Sequence, residues 1–272
     1  MLIRVGYEFL LDVPSPMPTL LKLYLHPSQD FRVKKPDALK IEPETTVEEF
    51  VDDFGNRFGR LVLPAGRVRL WNEALVSDNN RPDIVNFTAQ EIPVESLPPE
   101  VLPYLLSSRY CEVDLLSNIA WKIFGQTPTG WGRVQAVCDW VHNHVRFGYE
   151  YARSTKTAYE VYTEGTGVCR DFAHLAITLC RCLNIPARYA AGYLGDIGIP
   201  PQSSPMDFSS WFEVYLDHQW YTFDARYNVP RIGRILMVRG RDAVDTALTT
   251  FFSSQLINLV EFTVWTDEVT EV

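Results

Sequence analysis

The 272-residue chain predicts an α+β protein, with an N-terminal antiparallel β-sandwich domain over residues 1–97 and a second domain over 98–272 that mixes helices and antiparallel strands. Three observations carry this reading. Apolar and polar residues alternate at period two through the first hundred residues, the period lengthens to about 3.6 after a proline-rich stretch at 92–100, and a two-residue turn at Asp217-His218 joins two apolar strands near the end. Composition sets the frame: 46% hydrophobic and 22% charged residues describe an ordinary globular chain. A net charge of −9 argues against steering toward nucleic acid.

Ile3, Val5, Tyr7, Phe9 and Leu11 alternate with Arg4, Glu8 and Asp12, and Leu21, Leu23 and Leu25 repeat the pattern. Further strands are expected at 40–41, 61–63, 67–71 and 84–87, separated by turn signals at 53–56, 64–66 and 79–82. The first residues alternate as a strand and lack the features of a secretion signal, and no apolar run approaches the roughly 20 residues that span a bilayer. A soluble, cytoplasmic protein with no membrane partner is expected.

Past the prolines, helices are expected near 99–107, 113–124 and 131–146, the last with Val134, Val137, Cys138, Val141 and Val145 on one face. Thr157-Ala-Tyr-Glu160 has the form of a capping box. Gly165-Thr-Gly-Val-Cys169 then turns the chain into a helix whose apolar face runs from Phe172 to Leu183 and stops at Pro186. Residues 187–194 read as a strand. A hairpin follows, pairing 211–216 with 219–224, so that Leu216 faces Gln219, Trp211 faces Asp224 and Ser209 faces Arg226.

The five cysteines, at 111, 138, 169, 180 and 182, are odd in number and irregularly spaced, which favours reduced thiols over a disulfide or zinc framework. Cys169 is distinct in standing at a helix N-terminus, where unpaired N–H groups and the helix dipole favour a thiolate. The alternative is a buried structural cysteine. Asp171, in the same first turn, reads as a dipole-stabilising residue, and the arginines at 231, 234, 239 and 241 as a solvated basic face.

Gly-Val-Cys169-Arg-Asp-Phe-Ala-His174, Ile185-Pro-Ala-Arg-Tyr-Ala-Ala-Gly-Tyr193, Trp211-Phe-Glu-Val-Tyr215 and Trp220-Tyr-Thr-Phe-Asp-Ala-Arg226 together resemble the core of the bacterial transglutaminase-like superfamily. The similarity covers roughly residues 100–272, and the β-rich region before it is similar to the N-terminal domain of some bacterial members. The resemblance implies a papain-like fold, with a cysteine at a helix N-terminus packed on an antiparallel sheet. It also implies acyl-thioester chemistry on peptide or protein amides with no metal or other cofactor. Cys169 takes the nucleophile's place and Asp224 that of the acid which orients the histidine. The histidine itself is missing: similar sequences carry His-Ala-Trp where this chain reads Ser209-Ser-Trp211.

No other histidine substitutes easily. His218 lies in the hairpin turn, roughly 20 Å along the strand from Asp224. His174 is about 140° around its helix from Cys169. His142 and His144 look structural, and His26 belongs to the N-terminal domain. Trp211 is expected beside the site, either packing on the core or shaping a substrate tunnel, and Glu213 with Arg226 as a cross-strand ion pair. Three readings follow: a cysteine acyltransferase or hydrolase impaired by Ser209, a degenerate member that binds a peptide or partner protein without turnover, and a variant mechanism using Ser209.

Overall fold

The computed structural model describes residues 1–202 and 205–269. The first seven strands are β1 (Leu2–Val13), β2 (Met17–Leu21), β3 (Val33–Lys35), β4 (Lys40–Glu42), β5 (Glu48–Val51), β6 (Arg57–Leu63) and β7 (Gly66–Ser77). The period-two pattern is what they bury: Ile3, Val5, Tyr7, Leu11 and Val13 of β1 meet Val68, Leu70, Ala74 and Val76 of β7 and Met17, Leu21, Leu61 and Leu63 of β2 and β6 in one apolar core. β1 and β7 pair antiparallel without interruption from Leu2↔Ser77 to Val13↔Gly66. Gly66, at φ 104°, turns the chain between β6 and β7.

The strand expected at 84–87 does not form. Asn86 Oδ1 accepts the Thr88 N–H, Asp78 and Asn79 bind the N–H groups of Asn80 and Arg81, and Ile84 and Phe87 stand 73% and 80% exposed. Such side-chain turns take the backbone donors that a ladder needs. The helix expected at 99–107 is likewise a single 3₁₀ turn at Leu102–Leu105, limited by the prolines around it.

Four α-helices follow: α1 (Val113–Phe124), α2 (Trp131–His144), α3 (Ala158–Glu164) and α4 (Cys169–Cys182), with the short parallel pair β8 (Arg146–Phe147) and β9 (Thr166–Gly167) between them. Val134, Val137, Cys138, Val141 and Val145 are buried as their spacing requires. The Thr157 capping box starts α3, and Gly165 ends it in the left-handed conformation at φ 65°. α4 is enclosed on all sides. Every residue from Asp171 to Cys182 is buried, including Arg181, whose guanidinium donates to the carbonyls of Ala187, Leu106 and Arg241 and to Ser108 Oγ.

α4 packs on a sheet ordered β12–β11–β10–β13, made of β10 (Ala187–Tyr193), β11 (Ser209–Leu216), β12 (Gln219–Phe223) and β13 (Ile235–Gly240). The hairpin has the expected register, Leu216↔Gln219 to Phe212↔Phe223, with Asp217 and His218 both at positive φ in the turn. Two last strands, β14 (Thr249–Phe251) and β15 (Asn258–Val269), return to the N-terminal sheets, β14 beside β2 and β15 along the whole of β1. The boundary expected at 97/98 thus leaves strands of the N-terminal sheets on both sides of it. No helix among the described residues is long and apolar enough to cross a membrane.

Candidate active site

Cys169 is the first residue of α4, and the local sequence holds it there. Asp171 Oδ2 accepts the Val168 N–H at 2.9 Å, and Arg170 closes on Asp171 Oδ1 at 2.9 Å. Asp171 is fully buried, so it anchors the turn as well as facing the dipole. A Cβ on Gly167 would lie 2.6 Å from the Asp171 Cβ, so only glycine permits this close approach. β8 ties the same turn to the end of α2 through Phe147↔Gly167.

The other four cysteines are buried, whereas Cys169 is partly exposed. It opens on a cleft of about 330 Å³ whose lining includes Arg170, Tyr189, Ser209, Ser210 and Leu248. Packing around the sulfur pushes the thiol above its ordinary value. The Ser210 hydroxyl, the Arg226 charge and the Ser210 N–H pull the other way, and Asp207 adds to the rise. This direction is opposite to the thiolate expected from position alone.

Ser209 lines the Cys169 cleft at the start of β11, but Ser210 is the residue whose hydroxyl and N–H bear on the thiol. Ser210 pairs with Ala191, on the face of the sheet that carries Phe212 and Val214 into the core with α4. The Ser209 hydroxyl has no hydrogen-bond partner among the described residues.

Asp224 follows β12 directly, one residue past the last pair of the hairpin ladder, Phe212↔Phe223. Its carboxylate is occupied: Oδ1 accepts the N–H groups of Arg226 and Tyr227, both at 3.0 Å, and Oδ2 accepts Arg234 Nη2 at 2.9 Å. Of the two places expected for Trp211, it takes the core one, and the substrate-binding one is corrected. It is 2% exposed and packs with Ala190 and Leu236 under the Arg234 guanidinium, 5.0 Å from its ring, so it does not line the Cys169 cleft. Alternation along β11 turns it away from the face that packs on α4. Glu213 is a second correction: it pairs with Arg188 at 2.6 Å and Arg239 at 2.9 Å, while Arg226 stacks on Phe147.

The histidines lie elsewhere. His174 is buried between the rings of Tyr110 and Tyr189, and its Nε2 accepts the Ala243 N–H at 3.1 Å. Burial, reinforced by Arg170 and Arg181, holds it neutral, well below the usual histidine range. His142 Nδ1 lies 2.9 Å from the Arg226 carbonyl and His144 Nε2 lies 2.7 Å from that of Tyr162. His26 Nδ1 accepts the Ser28 N–H, and His218 sits in the hairpin turn. Among the described residues, no group of three or more His, Cys, Asp or Glu side chains could hold a metal ion.

Two residues missed in the sequence belong here. Asp207 and Arg226 line a small pocket with Ser209 and Tyr149, and both bear on the Cys169 thiol. Asp207 stands in the connection that leads into β11 and Arg226 arrives through the turn after β12, so no periodicity reveals either of them.

A thiol at the first residue of a buried helix, packed on an antiparallel sheet whose hairpin ends in an aspartate, defines a papain-like, cysteine-protease-type fold. Residues 118–225 match the family model of the transglutaminase-like superfamily. An uncharacterized protein of Mycobacterium leprae is 32% identical over 84 residues, which are 30% of each chain. Among solved structures, a candidate cysteine protease from Cytophaga hutchinsonii is 29% identical with a TM-score of 0.85, covering 100% of this chain and 92% of that one. The periplasmic domain of TgpA from Pseudomonas aeruginosa, bound to ethylmercury, is 13% identical with a TM-score of 0.40, over 83% and 90% of the two chains.

Proposed function

We propose that the protein receives a peptide or protein amide in the Cys169 cleft and that Cys169 acylates only slowly, so that binding outweighs turnover. The observation behind this reading is the missing imidazole: among the described residues, Ser209 and Ser210, and no histidine, line the cleft beside a thiol held above its ordinary value. In amide acyl transfer the sulfur attacks the carbonyl carbon, the oxyanion rests on N–H groups at the start of α4, and the C–N bond breaks as the amine leaves with a proton. A histidine would take the thiol proton and give it to the amine. Here water must do both, and a positioned acid–base group is typically worth about 10² to 10⁴ in rate. A non-acylating binder is the second reading, favoured by the same raised thiol.

The test is turnover of glutamine-containing peptides with a primary amine or water as acceptor, followed with intact-mass detection of a Cys169 thioester. Wild type is expected to bind these peptides saturably and to turn over at least about 10²-fold more slowly than Ser209→His. Wild-type turnover near the enzyme median of about 10 s⁻¹, with no gain in Ser209→His, would overturn the reading.

A further inference from the structure

The four arginines expected as a solvated face are mostly buried or paired. Arg231 is 2% exposed and the Arg234 side chain 7%, while Arg239 and Arg241 pair with Glu213 and Asp245. Arg231 and Arg234 line a cleft of about 530 Å³ with Arg32 and Arg81, on the side of the β11–β12 hairpin that meets the 77–84 segment. Two of these four charges are compensated. Arg32 pairs with Asp78, and Arg234 bridges Asp83 at 2.8 Å and Asp224 at 2.9 Å.

Arg81 and Arg231 have no carboxylate partner among the described residues. Arg231 Nη2 donates to the Gly195 carbonyl at 2.7 Å and its guanidinium stacks on Tyr227 at 4.6 Å. Its Nε and Nη1 have no acceptor, nor has Arg234 Nη1. A buried guanidinium with a single hydrogen-bonded nitrogen and no counter-charge is costly, because an ion withdrawn from water needs both a partner and its full set of acceptors. Arginine also presents a planar fork that fits carboxylate and phosphate oxygens. The opposite chemistry frames the same cleft, with Phe31 82% exposed and Ile84 73% exposed along it and Tyr221 in its wall.

We propose that this cleft binds a small organic anion, a carboxylate or phosphate ester attached to an apolar group, with Arg231 and Arg81 taking the charge and Phe31 and Ile84 covered by the apolar part. The site lies apart from the Cys169 cleft and does not rest on any activity there. Through Arg234 it touches the residue that holds Asp224.

The test is calorimetric titration of the full chain at fixed ionic strength with phenyl phosphate and benzoate, which separate phosphate from carboxylate, and with inorganic phosphate and benzyl alcohol as the charge-only and apolar-only arms. One or both organic anions are expected to bind saturably at a single site, more tightly than either control. Loss of a charge-assisted hydrogen bond predicts at least about a 10-fold weakening in Arg231→Gln and in Arg81→Ala. Arg81 is exposed, so its substitution leaves the fold intact and keeps the test decisive if Arg231→Gln fails to fold. Absence of saturable binding by either organic anion, binding no tighter than that of both controls, or affinity unchanged in Arg81→Ala would overturn the proposal.

Discussion

Cys169 sits among groups that pull its proton in opposite directions, and the balance is set by residues a few ångströms apart in space and far apart in sequence. The positions of Cys169 and Asp224 were legible because a glycine turn and a hairpin fix their places. The groups that tune the thiol were less so, since Asp207 ends a connection between strands and Arg226 follows a turn. The charge that raises the thiol is that of Asp207, whereas Asp224 is held by Arg234 and two backbone N–H groups. A carboxylate offers about four lone-pair directions, so one remains on Asp224 for an introduced imidazole. Removing the negative charge of Asp207 favours the thiolate. Asp207→Asn is expected to speed iodoacetamide labelling of Cys169 at pH 8 by roughly a few fold, because it removes a charge that raises the thiol pKa. Slower labelling in that variant would refute this assignment.

Among the elements, α4 decides both fold and site. Its periodicity named one apolar face, yet the helix is buried all round because α1, α2, α3 and the sheet enclose it. Arg181 within it is satisfied by backbone carbonyls and Ser108, while His174 accepts the Ala243 N–H at Nε2 between two aromatic rings and has no partner at Nδ1 among the described residues. Burial lowers the folded-state pKa of His174, so the unfolded chain binds its proton first as pH falls. The stability this neutral histidine contributes is therefore present above about pH 6.5 and lost below it, by up to about 1.4 kcal/mol per pH unit. His26 acts in the same sense. Urea denaturation at pH 7.5 and 5.5 is expected to show a larger loss for wild type than for His174→Gln, and equal losses would contradict this role.

At the scale of the whole molecule, the two ends of the chain meet. Val260, Phe262 and Val264 alternate with Glu261 and Thr263, so β15 was present in the sequence as a period-two segment. Its partner was not, because pairing across some 260 residues leaves no local trace. The close contact between β15 and β1 depends on Gly6, where a Cβ would lie 2.3 Å from the Trp265 ring and 2.5 Å from the Asn72 carbonyl. Gly6→Ala must shift one of these neighbours. It is expected to cost roughly 1 to 3 kcal/mol, read as a lower urea midpoint, and an unchanged midpoint would mean that β15 does not press on β1 in this way.

The most direct measurement of the site is the pH dependence of iodoacetamide labelling at Cys169, read by mass spectrometry in wild type and Ser209→His. Without an imidazole, the wild-type thiol is expected to titrate above the ordinary cysteine value of about 8.5, and Ser209→His to move it downward. A wild-type midpoint below about 7, unmoved by Ser209→His, would contradict the conclusion that Cys169 lacks its base.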